Sequence, residues 1–159
     1  MFTLGDVLDL AAQIERNGER VYRDALDRTG DPEMAEMLEW MADEEARHAE
    51  RFSDMRSALP PNVSDPVLEE LGRSMLVDIV ENRSFSLEDV DFDRIEEVTD
   101  LIRVMIEFEQ DTLDFYKVFR DLMADVSEMG QLDDIISEEQ EHIRRLQQCR
   151  GKNLACLRA

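Results

Sequence analysis

The sequence predicts an all-α protein, a four-helix bundle made of two repeated helical hairpins joined by a long crossover that contains a short helix. Three observations predict it. Apolar residues recur at helical spacing through four long stretches, turn signals rich in glycine and proline separate them, and the second half of the chain repeats the chemistry of the first at an offset of 94 residues, from Glu15 to Glu109.

The first helix is expected from Leu4 to about Arg28, where Leu4, Val7, Leu8, Ala11, Ile14, Val21, Tyr22 and Ala25 share one face. The stretch "TGDP" at 29–32 closes it with glycine and opens the second helix with Asp31 as cap and Pro32 in the first turn. That helix runs to about Leu59, where "PPNVSDP" stops it. Residues 60–92 hold prolines, serines and one short apolar run, "PVLEELGRSMLVDIV", which reads as a minor helix within the crossover. A third long helix follows from Asp93 or Thr99 to Met123, and a fourth from about Gln131 to Arg150. The hairpins thus span about 4–58 and 94–150, the crossover 59–93, and the whole of 1–159 is expected to be one domain. Leu38, Met41, Ala42, Met55, Met105, Phe108, Phe115, Phe119, Leu132, Ile135 and Leu146 fall on core layers, while Trp40, beside Met37 and Met41, marks an outer apolar strip for a partner chain.

Composition narrows the partners. The apolar share of 43% suits a folded core, and the formal charge of −21 argues against nucleic acid or an anionic membrane surface while attracting cations. No stretch has the length and apolarity of a membrane span, and the opening "MFTLGDVLDL" lacks the basic segment of a secretory signal, so a cytoplasmic protein is expected. Cys149 and Cys156 match neither a metal knuckle nor a disulfide framework and read as ordinary thiols.

The repeat carries the chemistry. Glu15 maps onto Glu109, Tyr22 onto Tyr116, Leu38 onto Leu132, Glu44 and Glu45 onto Glu138 and Glu139, and His48 onto His142. The chain has two histidines and two tyrosines, and all four obey the offset. Glu15 and Glu45 lie equally far from Gly30, and Glu109 and Glu139 equally far from Ala124, so at a rise of about 1.5 Å per residue the four carboxylates share one layer. A crossover this long returns the chain along the bundle, which makes the second and third helices parallel and brings the half-sites together across a two-fold axis.

Residues three apart on a helix share a face, so Glu45 with His48, and Glu139 with His142, can each approach one ion. With one glutamate from each remaining helix, the set is the pattern of di-iron and di-manganese bundles. Four carboxylates balance two divalent ions, whereas without metal they would meet severe desolvation and repulsion. Glu15 and His48 are assigned as terminal ligands of one ion, Glu109 and His142 as those of the other, and Glu45 and Glu139 as bridges. Iron is the expected metal, with manganese an open alternative. Gly18, one turn beyond Glu15, provides space for close packing or for access to the metals; its counterpart Thr112 either packs or offers a hydroxyl to oxygen at the metals. Tyr22 and Tyr116 either hydrogen-bond the ligand carboxylates or find other polar partners in the core.

The stretches "IERNGERVY", "IEFEQDTLDFY", "DEEARH" and "SEEQEH" resemble the ligand helices of rubrerythrin-like proteins in the ferritin-like superfamily. The resemblance covers both hairpins and implies di-iron ligation by Glu15, Glu45, His48, Glu109, Glu139 and His142. It further implies a cytoplasmic homodimer that oxidises ferrous iron with oxygen or peroxide. Rubrerythrins proper add a rubredoxin-like domain with four cysteines and an extra glutamate where this chain has Ile106. With two cysteines in the chain, the electrons are expected from an external donor protein. The alternatives are a ferroxidase serving iron detoxification or storage, and a structural bundle stabilised by its metals. The closing "GKNLACLRA" also has a likeness to the tails that load cargo into encapsulin shells.

Overall fold

Among the described residues four long helices account for most of the protein: α1 (Leu4–Arg28), α2 (Pro32–Ala58), α3 (Val98–Leu122) and α4 (Gly130–Cys149), with one 3-10 turn at Phe92–Arg94 ahead of α3. The structure is a computed structural model and describes residues 4–59, 87, 89–122 and 130–149. Among the described residues there is no strand. The short helix expected at "PVLEELGRSMLVDIV" lies outside the described residues, as does the encapsulin-like tail.

Local chemistry sets the helix ends. The Asp31 carboxylate accepts hydrogen bonds from the amides of Glu33 at 2.8 Å and Met34 at 2.9 Å, satisfying two donors that the start of α2 leaves unpaired. Pro32 follows in the first turn, where its missing N–H costs nothing. At the other end Leu59 turns extended, its amide reaching Arg56 O at 3.4 Å, and Pro60 and Pro61 prevent continuation.

Arginine contacts at the two ends establish direction. Arg28 donates to Asp93 at 3.1 Å, which places the start of α3 beside the α1–α2 turn. Arg51 donates to the carbonyl of Gln131 at 3.2 Å, which places the start of α4 toward the far end of α2. Helices α2 and α3 therefore run the same way, as the long crossover requires. Helix α1 packs along α2 and α3 along α4, and the hairpins meet through contacts of α2 with both α3 and α4.

All eleven core positions expected from the sequence are buried. Met37, Met41 and Met105 are fully enclosed, and Phe52 and Phe119 are the largest apolar rings at the centre. Trp40, expected on an outer strip, is half-buried against the core and turns its ring edge-on to His142 at 5.4 Å. Cys149 is disulfide-bonded, which corrects its reading as an ordinary thiol: spacing along the sequence does not fix which cysteines meet in space. Among the described residues no helix is long and apolar enough to cross a membrane.

Candidate metal centre

Burial singles out the layer. Among the described residues, the buried polar or charged side chains are Glu15, Glu45, His48, Glu109, Thr112, Glu139 and His142. These are the six expected ligands and the threonine that the repeat pairs with Gly18. Each helix delivers its residues to the same height, α1 with Glu15, α3 with Glu109, and α2 and α4 with a glutamate and a histidine one turn apart.

Glu139 sits at the centre of the group. Its Oε1 is 2.8 Å from His48 Nδ1, across the hairpin boundary, and its Oε2 is 3.2 Å from His142 Nδ1. The two imidazoles stack with centroids 5.4 Å apart and planes 19° from parallel. Glu15, His48 and Glu139 form one buried group whose ligand atoms lie within 4.8 Å of one another, and Glu109, Glu139 and His142 form a second. Glu139 belongs to both.

Glu45 stands apart from the two groups. It shares a hydrogen bond with Glu15 and lies against Gly18 of α1, while among the described residues His48 pairs with Glu138 and Glu139 rather than with Glu45. The structure thus gathers five of the six expected ligands into two triads and seats the sixth beside them.

The aromatic and hydroxyl groups divide in the same uneven way. Tyr116 Oη donates to Glu15 Oε1 across the hairpins. Its counterpart Tyr22 has a buried hydroxyl without a hydrogen-bond partner among the described residues, its ring set edge-on to Phe108 and Phe92. Thr112 donates to the Phe108 carbonyl one turn back at 2.9 Å.

The outer side of the histidines holds groups that sequence reasoning left unused. Glu44 accepts from His142 Nε2 at 3.0 Å, and Glu138 accepts from His48 Nε2 at 3.1 Å, so each hairpin's outer glutamate reaches the other hairpin's histidine. Arg47 donates to both of these glutamates, and Arg51 to Glu138 at 2.7 Å. A third grouping of potential ligand atoms, Glu44 with His48 and His142, lies on this side. The signal was present in the sequence, since Glu44 and Glu138 obey the repeat, but acidic residues beside a site resemble a solvated face. A cavity of about 360 Å³ opens here, and of the six expected ligands only His142 lines it.

Burial and charge set the protonation. Burial pushes Glu15, Glu45 and Glu109 above the usual carboxylate range, most strongly Glu45 and Glu109, which also face neighbouring carboxylates. Burial acts on Glu139 in the same sense, but His48 and His142 outweigh it and hold that carboxyl well below the usual range. For the imidazoles burial alone would lower the pKa. Glu139 instead raises His48 to about 8, and Glu109, Glu139 and Glu44 raise His142 to about 12. Burial, then the surrounding carboxylates, push both tyrosines well above 10.

The donor set fits metal ions. Glu15 Oε2, Glu109 Oε1 and Tyr22 Oη are buried without a hydrogen-bond partner among the described residues, and a buried polar atom left unpaired is costly. Two of the three are carboxylate oxygens in the two triads, where cations would satisfy them. Oxygen and imidazole donors in this ratio suit iron or manganese. No curated protein and no solved structure is significantly similar to the chain. The rubrerythrin family profile matches residues 6–150, which takes in all four helices and both triads. This chain belongs to the rubrerythrin family, ferritin-like proteins of the di-iron oxidoreductase type.

Proposed function

We propose that the protein is a di-iron oxidoreductase that oxidises Fe(II) with peroxide or oxygen and draws its electrons from an external donor protein. The sharing of Glu139 by two triads carries this reading, because one carboxylate spanning two ligand sets is what holds two ions close enough to act on one small oxidant. Glu15 and His48 would hold one ion, Glu109 and His142 the other, and Glu139 and Glu45 would be shared between them. When bound, two ferrous ions supply the two electrons that, with two protons, convert peroxide to two water molecules.

The residues do the rest. Each histidine turns Nδ1 toward the buried carboxylates and Nε2 toward an outer glutamate, so Glu44 and Glu138 fix the tautomer that leaves Nδ1 free to ligate. Tyr116 orients Glu15, and Tyr22 stands in the corresponding position for Glu109, whose Oε1 has no partner. The raised carboxyls surrender their protons on cation binding, and the apolar layers above and below exclude bulk water. The test is stopped-flow oxidation of the ferrous protein by peroxide and by oxygen. Rates at least about a hundredfold above those of Glu139→Ala are expected; equal rates would remove the reading.

A second reading, iron detoxification or storage, is favoured by the charge of −21 and by Ile106, half-buried in place of the family's extra glutamate. It requires aerobic loading well beyond two irons per chain in a large assembly, so a small species that stops at two would exclude it.

A further inference from the structure

We propose that Gly18 is a positioning residue: the side chain it lacks leaves a seat for the Glu45 carboxylate outside the two triads. Of the two repeat-related carboxylates, Glu139 is then the fixed one and Glu45 the one that moves when cations bind. This inference rests on the two-metal reading of the site.

The seat is visible in the packing. A Cβ on Gly18 would lie 3.2 Å from both Cδ and Oε2 of Glu45 and 3.2 Å from Cε1 of Phe108, closer than ordinary van der Waals contact. Glycine is unfavourable in a helix interior, and position 18 lies well inside α1. The space it creates is what Glu45 occupies.

The repeat supplies an internal control. Its counterpart of Gly18 is Thr112, which does carry a side chain, tied to the Phe108 carbonyl. On that half of the site the paired carboxylate, Glu139, sits between the two histidines, 2.8 Å and 3.2 Å from their Nδ1 atoms. On the Gly18 half the paired carboxylate lies against Gly18 and belongs to neither triad. The helix position that lacks a side chain and the carboxylate that belongs to neither triad thus fall on the same half of the site. Glu45 is three residues before His48 on α2 and shares its face, so a rotamer change carries it from the seat to an ion held beside His48.

Two measurements test this on the full chain. In the metal-free protein, Gly18→Ala should lower the melting temperature, the reverse of the usual effect in a helix interior, because the added methyl presses on Glu45. In a Glu45→Asp background, one methylene shorter, the same substitution should raise it. Phe108 is pressed equally in both backgrounds, so the difference isolates the contact with Glu45. Titrated with Zn(II), Gly18→Ala should bind about tenfold more tightly than the parent, because the strain of overpacking falls on the metal-free form and is released when Glu45 leaves its seat. Equal thermal effects in the two backgrounds, or Zn(II) affinity unchanged or weaker, would overturn the assignment. If Gly18→Ala does not fold alone, the double variant with Glu45→Asp must; failure of both has the same meaning. A parent protein that takes up no Zn(II) would sink the two-metal reading and the movement together, whereas the melting comparison decides the seat by itself.

Discussion

Glu139 and the two tyrosines show how far single residues of equal sequence standing can differ. Glu139 accepts from both histidines, so Glu139→Ala should abolish stable binding of both ions, read as metal content per chain after desalting. Glu44→Ala and Glu138→Ala should each weaken metal binding roughly 10- to 100-fold, the usual range for groups that orient a ligand, each acting on the histidine of the opposite hairpin. Tyr116→Phe removes a buried bond to Glu15 and should cost about 1–3 kcal/mol in denaturation of the metal-free protein. Tyr22→Phe removes a buried hydroxyl that has no partner among the described residues and should cost nothing or stabilise. The six carboxylates and imidazoles that the structure buries in one layer were legible because two histidines and two tyrosines obeying one offset leave little room for chance. The displaced position of Glu45 was not, since spacing fixes the face a residue occupies but not its rotamer. Nor does repetition distinguish Tyr22 from Tyr116.

At the scale of elements, helix ends were the most readable part of the fold. "TGDP" predicts the α1–α2 turn to the residue, because aspartate capping and proline in the first turn are local effects. Asp31→Ala should accordingly lower stability by about 1 kcal/mol while leaving metal affinity unchanged, a pair of results obtained by thermal melting and Zn(II) titration. The start of α3 was less certain because acidic residues from 89 to 100 suit either a first turn or a loop; the structure resolves it with a 3-10 turn at Phe92–Arg94 and a helix from Val98. The clasp between α2 and α4 was hidden for another reason. Arg47 breaks the repeat, standing opposite Glu141, so one arginine serves the outer glutamates of both hairpins and has no counterpart to betray it.

For the whole molecule, the central layer trades fold stability against readiness to bind cations. The folded state raises His48 from 6.5 to about 8 and His142 further, so their stabilisation is complete below pH 6.5 and is lost as pH rises through those values. The raised carboxyls of Glu15, Glu45 and Glu109 act in the same sense above their ordinary 4.5. Glu139 acts oppositely, its contribution being lost as pH falls below the ordinary carboxylate range. The metal-free protein should therefore melt at a lower temperature at pH 8.5 than at pH 6.5, while metal affinity rises over the same interval because ligation displaces protons; differential scanning calorimetry with and without Zn(II) checks both. The charge of −21 that draws cations toward the bundle also explains why the architecture depends on a well-packed apolar core above and below the layer. The most direct test is the metal content of the full chain loaded anaerobically with Fe(II) and freed of excess. Two irons per chain, falling below one in Glu139→Ala, is the result expected of two triads sharing one carboxylate; one iron or none in the parent protein, or two retained in the variant, would contradict it.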